Sequence, residues 1–174
     1  LNISSVGDQT ITTDISTSAN NVYGYWMQEN DGSTIDISAN ITTTGANAHG
    51  INIVSSDSNI INLTGSLSAT GSSADAINMN STSDNNTVNL TLNQGDRLIG
   101  DIVNNGSGNT LNLTLNDYGR ASSYSYTSSG STELDWNVTD NSPRPFIIGS
   151  AKSRAAADMD DAGNRLYQRL SQIN

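Results

Sequence analysis

Asp31 and Asp57 are the carboxylates whose spacing could support chemistry. They lie 26 residues apart, which is one period of a repeat described below, so they are expected to stack in adjacent turns. Two adjacent carboxylates can bind Ca²⁺ or hydrolyse a glycosidic bond. The remaining acids are scattered, and the calcium motif Gly-Gly-x-Gly-x-Asp is absent. Solvated turn residues are therefore the favoured interpretation of the pair.

His49 is the only histidine of the chain, and cysteine is absent. A Cys/His zinc site and a cysteine nucleophile are therefore excluded. His49 aligns with Tyr23 and Asp75 at the same spacing, so the position varies between repeats and predicts a surface residue. No Gly-x-Ser-x-Gly motif marks a serine nucleophile. We predict no catalytic residue, no metal and no cofactor, and hence no enzyme.

Tyr23, Tyr25 and Trp26 form the one aromatic cluster of the repeat region. At least one of these side chains is expected to point outward, where it could contact a carbohydrate or a partner surface. Packing in the core is the favoured alternative.

The composition is acidic and polar. The chain has 174 residues with a net charge of −10, and Ser, Thr and Asn make up about two-fifths of it. Lys and Arg are absent before Arg97, whereas nine acids precede it. Such a chain does not bind nucleic acid through a basic surface.

So polar a composition could indicate a disordered chain. A short motif that recurs along the chain argues against disorder. Residues 32–38, 58–64, 85–91 and 108–114 share an apolar-polar-apolar pattern, as in Asn85-Asn-Thr-Val-Asn-Leu-Thr91. This period of two is typical of strands with one buried face. Clusters of Gly, Asn and Ser separate the strands and favour turns.

Two further elements run in phase with this motif, so each repeat of about 25 residues holds three short strands. One such unit cannot bury its apolar face alone, whereas stacked units can. The sequence therefore predicts an all-β, three-sheet parallel β-helix. The expected inward residues are Tyr25, Met27, Ile51, Ile53, Ile77 and Met79 on one sheet, Ile35, Ile37, Ile61, Leu63, Val88, Leu90, Leu111 and Leu113 on the next, and Ile15, Ile41 and Leu67 on the third.

Asp36, Asn62, Asn89 and Asn112 occupy the same outward position in successive repeats. Stacked asparagines can form an amide ladder. Plain solvent-facing polar alternation is the alternative, and it is the favoured one.

The chain divides into coils (1–115), a cap and break (116–149) and a linker (150–174). The cap residues are Tyr118, Tyr124, Tyr126, Leu134 and Trp136, in a β-hairpin or a distorted last coil that covers the terminal core. The linker is expected to be an amphipathic α-helix. Its predicted face contains Ala151, Ala155, Met159, Ala162, Leu166 and Leu170.

Residues 85–92, 97–102 and 108–115, followed by this linker, resemble the C-terminal passenger region of a pertactin-like autotransporter from Gram-negative type V secretion. The resemblance implies a right-handed β-helix with a trailing α-helix, and a cap that acts as an autochaperone. It also implies that the linker threads the chain's own translocator β-barrel, whose strands would lie outside this sequence. The implied location is the cell surface or outer membrane, or the secreted fraction.

The resulting hypothesis is a non-enzymatic stalk of a surface-displayed passenger that supports secretion and folding. Adhesion or self-association, with a host surface or another passenger copy as partner, would be its output. The alternative is a fragment of a β-helical polysaccharide-active enzyme or tailspike.

Overall fold

A computed structural model describes residues 2–4, 7–116, 120–121, 126–128 and 135–141. These residues form short strands, and no helix occurs among them. The strands are β1 (Asn2–Ser4), β2 (Gln9–Ile11), β3 (Ile15–Thr17), β4 (Tyr25–Gln28), β5 (Thr34–Ser38), β6 (Ile41–Thr43), β7 (Ile51–Val54), β8 (Ile60–Thr64), β9 (Leu67–Ala69), β10 (Asp75–Met79), β11 (Thr87–Leu92), β12 (Arg97–Ile99), β13 (Asp101–Asn104), β14 (Thr110–Leu115), β15 (Arg120–Ala121), β16 (Tyr126–Ser128) and β17 (Asp135–Asp140).

The strands form three parallel sheets, and each sheet contains every third strand. The first sheet has the order β1-β4-β7-β10-β13-β16, the second β2-β5-β8-β11-β14-β17 and the third β3-β6-β9-β12-β15. Three successive strands thus make one coil, and equivalent residues of adjacent coils pair, as Ile35 does with Ile61 and Ile61 with Val88. The predicted three-sheet parallel β-helix is confirmed, while its handedness stays a prediction.

The predicted inward residues lie in one continuous core. All six residues proposed for the first sheet are 0% exposed, and the eight proposed for the second sheet are at most 2% exposed. On the third sheet Ile41 and Leu67 are buried, and Ile15 is partly buried against the core. The core also includes Leu98 and Ile102, which continue the third and first sheets. Each such side chain contributes about 1.5–3 kcal/mol when fully buried.

Two kinds of turn allow the coils to stack. At Gly71, between the third and first sheets, an added Cβ would collide with the carbonyl oxygen of Gly45 in the preceding coil, so the backbones approach too closely for a side chain. Before the second sheet, Gly32, Ser58 and Asn85 occupy the same position with φ of 67°, 60° and 58°. Gly and Asn tolerate this left-handed conformation at low cost.

The segment that follows residue 115 continues the solenoid. Strand β16 pairs in parallel with β13, and β17 pairs in parallel with β14, with Trp136 opposite Leu111. Of the two interpretations of the cap, the structure thus supports a further coil over a hairpin. Tyr118, Tyr124 and Leu134, and the whole predicted linker helix over 150–174, lie outside the described residues.

Candidate functional site

A column of three side chains runs along the first sheet, at the N-terminal ends of β4, β7 and β10. It consists of Tyr23, His49 and Asp75. The Tyr23 and His49 rings stack with centroids 5.4 Å apart and planes 13° from parallel. His49 Nδ1 lies 3.0 Å from Asp75 Oδ2, and the two side chains are 16% and 18% exposed. The predicted alignment of these three positions is confirmed. His49 is therefore a partly buried member of a column, where the sequence predicted an ordinary surface residue.

The imidazole of His49 is held by Asp75 of the next coil. The backbone N–H of Asp75 donates to His49 Nδ1 at 3.0 Å, which uses the lone pair of this nitrogen. The Asp75 carboxylate lies 3.0 Å from the same nitrogen. Both contacts come from one residue, and they hold the ring under Tyr23.

The aromatic cluster divides between core and surface. Tyr25 is 0% exposed and belongs to the core, so it is not a surface contact. Its hydroxyl has no hydrogen-bond partner among the described residues, and burial raises the pKa of the Tyr25 phenol well above its usual value. Tyr23 and Trp26 are partly exposed. Their rings contact edge-to-face, with centroids 5.4 Å apart and planes at 76°.

Trp26 lies on the outer face of the first sheet, in register with Asn52 of the next coil. Asn52 also points outward, yet it is only 4% exposed. Its amide oxygen accepts a 2.7 Å bond from Asn78 Nδ2. Asn52 thus lies between Trp26 and Asn78 in register on the outer face, and its burial shows that neighbouring side chains cover it.

The predicted stacking of Asp31 on Asp57 is confirmed, and Asp84 extends the column. Asp31 Oδ1 accepts the backbone N–H of Asp57 at 2.8 Å, and Asp57 Oδ1 accepts that of Asp84 at 2.7 Å. Each carboxylate therefore serves a neighbouring turn. Within the described part of the chain, no three His, Asp or Glu side chains are grouped to hold a metal ion.

Carboxylates that accept backbone N–H groups also occur elsewhere in the part of the chain before Arg97, which contains acids but no Lys or Arg. Asp8 and Asp14 accept the backbone N–H groups of Thr34 and Asn40, each one coil further along, at 2.7 and 2.8 Å. A carboxylate is a strong acceptor for an N–H group at a turn. These acids act as turn acceptors and need no cationic partner.

The outer column from Asp36 is an amide ladder. Asn62 Nδ2 donates to Asp36 Oδ1, and the pattern continues through Asn89, Asn112 and Asn137, with distances between 2.6 and 2.8 Å. The amide ladder is therefore observed, although the sequence favoured plain solvent-facing alternation. Asp36, which only accepts, occupies one end of the ladder.

Sequence reasoning missed a second asparagine column, which is buried at the turn before the second sheet. Asn59, Asn86 and Asn109 are at most 1% exposed. Asn86 Oδ1 accepts the backbone N–H of Asn59 at 3.0 Å, and Asn86 Nδ2 donates to the carbonyl of Ser56 at 2.7 Å. The signal was present as Asn at the second position of three motif copies, beside the residue with positive φ.

Comparison of the chain with protein-family models, with curated proteins and with solved structures found no match. None of the described residues forms a helix that is long and apolar enough to cross a membrane. The described surface has two regions with distinct chemistry. One is the aromatic column around His49, and the other is the uncharged centre of the outer amide ladder.

Proposed function

We propose that this chain is the stalk of a surface-displayed autotransporter passenger, non-enzymatic, and that its C-terminal coils assist secretion and folding. The observation that supports this best is the dependence of each coil on its neighbour. Turn side chains such as Asp31, Asp57 and Asp84 bond to backbone groups of the following coil, not of their own. A solenoid of this kind gains stability one neighbour at a time.

Such dependence suits folding after passage through a narrow pore. A C-terminal coil that is already formed presents its backbone N–H groups and its open strand edges to the segment that precedes it, whose turn carboxylates accept those N–H groups. A folded C-terminal end would then template the coils behind it without an external energy source. The absence of cysteine removes disulfides that would obstruct an unfolded chain during passage.

The proposed partner at the C-terminal side is the chain's own translocator β-barrel, and residues 150–174 are the proposed linker helix within it. Display at the outer membrane, or release into the medium, follows from this role. Adhesion to a host surface, or association with another passenger copy, would be the output of the displayed coils. The competing function, a polysaccharide-active enzyme or tailspike fragment, would require convergent carboxylates beside a cleft.

A pair of deletions tests the folding role. Removing residues 116–140 takes away the last three described strands, β15, β16 and β17, and removing residues 2–24 takes away the first three, β1, β2 and β3. If the C-terminal end templates folding, the first deletion slows refolding from urea far more than the second, as followed by circular dichroism. Equal refolding rates for the two truncated chains would contradict the proposal that the C-terminal end templates folding.

A further inference from the structure

Tyr23, Trp26 and His49 form a contiguous aromatic surface, here called the aromatic shelf. Tyr23 contacts both of the other rings, one edge-to-face and one stacked, with centroids 5.4 Å apart in each case. The turn that carries Tyr23 and the strand that carries Trp26 belong to one coil, while His49 comes from the next. The shelf therefore exists only when adjacent coils have stacked.

The rings are held in place by groups beneath and beside them. The backbone N–H of Asp75 donates to His49 Nδ1 at 3.0 Å and holds the ring, and the Asp75 carboxylate lies beside the same nitrogen. Trp26 Nε1 is buried, and no described residue accepts its hydrogen bond. The nitrogen edge of the indole thus faces the protein, and Trp26 pairs in register with Asn52. A fixed, partly exposed ring binds a ligand at low cost in conformational entropy.

Polar groups border the shelf, and none of those that the structure describes there is a Lys or Arg. The amides of Asn52 and Asn78 continue the outer face beside Trp26, and the carboxylate of Asp75 lies beside His49. No Lys or Arg occurs before Arg97 in the sequence. An anionic ligand would meet like charge at this surface without compensation.

We propose that the aromatic shelf binds a neutral hexose-containing glycan. The C–H face of a pyranose ring carries slight positive charge and packs on the negative face of an aromatic ring, while amide and carboxylate groups at the rim bond its hydroxyl groups. A lone cation could also approach an aromatic face. A cation-binding cage, however, surrounds its ligand with several free ring faces, whereas one face of Tyr23 is covered by His49.

This inference rests on the adhesive part of the proposed function, for which it supplies a ligand class, and not on the templating role. A failure here would leave the deletion experiment above unaffected, because refolding is measured without any glycan. A failure of templating would likewise leave binding by the folded chain intact.

Binding is tested on the full chain with soluble cellohexaose, tetra-N-acetylchitotetraose and maltohexaose, each up to about 10 mM, the range of weak single-site recognition. Indole ¹H–¹⁵N resonances and titration calorimetry report the contact. Polygalacturonate serves as the anionic probe and choline as the cationic one. We expect at least one neutral oligosaccharide to bind and to shift the Trp26 indole resonance, with weaker binding of both charged probes.

Two variants locate the site. Trp26→Ala is expected to lower the affinity at least about tenfold. Ile60→Ala is the matched control, because Ile60 is an exposed apolar side chain, 41% exposed, on the outer face of the second sheet. It is expected to leave the affinity unchanged. Circular dichroism verifies that both variants remain folded, and Tyr23→Leu, which removes the other exposed ring of the shelf, provides a second test if Trp26→Ala does not fold.

Three results would overturn the proposal. The first is the absence of binding by all three neutral oligosaccharides. The second is binding that the Trp26 and Tyr23 variants leave unchanged, and the third is a preference for choline or polygalacturonate over every neutral sugar.

Discussion

Two asparagine columns follow the axis of this solenoid, and they differ in exposure and in the backbone groups that their amides bond, although amides bond to each other in both. The outer ladder consists of Asp36, Asn62, Asn89, Asn112 and Asn137, and each rung makes one side-chain bond to the next. The buried column consists of Asn59, Asn86 and Asn109, and its amides bond to backbone groups of neighbouring turns.

The difference shows that repetition of a residue does not measure its energetic weight. Water can replace a lost bond in the outer ladder, because its members are partly or fully exposed. At the buried turn, a lost amide leaves backbone N–H and C=O groups without partners and without water. The buried column should therefore define the turn, whereas the outer ladder should add a small increment at each rung.

Asn86→Ala should produce the largest loss among the changes considered. The Ser56 carbonyl and the Asn59 backbone N–H would both lose their partner, and each unsatisfied buried group costs about 1–3 kcal/mol. We expect the free energy of unfolding to fall by about 3 kcal/mol. Urea denaturation followed by circular dichroism measures this loss. A loss no greater than that of the outer variant Asn89→Ala would remove the distinction between the two columns.

The strands and the core could be predicted from the sequence because alternation along a strand depends on local pattern. Tyr25, Met27 and Ile35 all follow it, and all are buried. The recurrence of Asn at the position of Asn86 is visible in the sequence, but its burial is not, because an asparagine at a turn has the same local signature whether it faces solvent or the core. The contact of Tyr23 with His49 depends on the exact stacking of two coils. Sequence spacing can suggest that proximity but cannot establish it.

Asp57→Ala tests a third kind of column, whose backbone bonds are exposed. Asp57 Oδ1 accepts the backbone N–H of Asp84 at 2.7 Å, much as a helix N-cap side chain accepts a terminal N–H. Loss of a cap costs about 0.5–2 kcal/mol, and water keeps the penalty here below the upper end of that range. We expect a decrease of about 1–1.5 kcal/mol in the free energy of unfolding, between the losses at the two asparagine columns.

Asp57→Asn is the matched control, because the amide oxygen can still accept the Asp84 N–H. It should retain most of the stability. If Asp57→Asn loses as much as Asp57→Ala, the negative charge would be what matters, and the hydrogen bond would not.

Tyr25→Phe separates the effect of burial from that of hydrogen bonding. The Tyr25 hydroxyl is buried and has no hydrogen-bond partner among the described residues. The buried amide of Asn86, in contrast, bonds to backbone groups of the preceding coil. Removing an unpaired buried hydroxyl is neutral or favourable, and we expect a gain of up to about 1 kcal/mol near neutral pH. A loss greater than about 1 kcal/mol would indicate that the hydroxyl has a partner.

The pH dependence provides a second test of Tyr25. Burial raises the pKa of its phenol in the folded chain, while an unfolded tyrosine ionises near pH 10. The contribution of the neutral buried phenol is therefore complete below about pH 10 and decreases as the pH rises above that value. Urea titrations between pH 8 and 11 should show a steeper loss for the wild-type chain than for Tyr25→Phe. Parallel curves would contradict this assignment.

Asn89→Ala should have the smallest effect and thereby completes the comparison. Asn89 lies three residues after Asn86 in the same coil, and its amide bonds only to Asn62 and Asn112. Water can satisfy both neighbours after the change, so we expect a loss of about 0.5–1 kcal/mol. Asn62→Ala combined with Asn89→Ala should cost less than the sum of the two single changes, because the variants share one hydrogen bond. A loss comparable to that of Asn86→Ala would mean that the ladder acts as one cooperative unit, in which each amide bond strengthens the next.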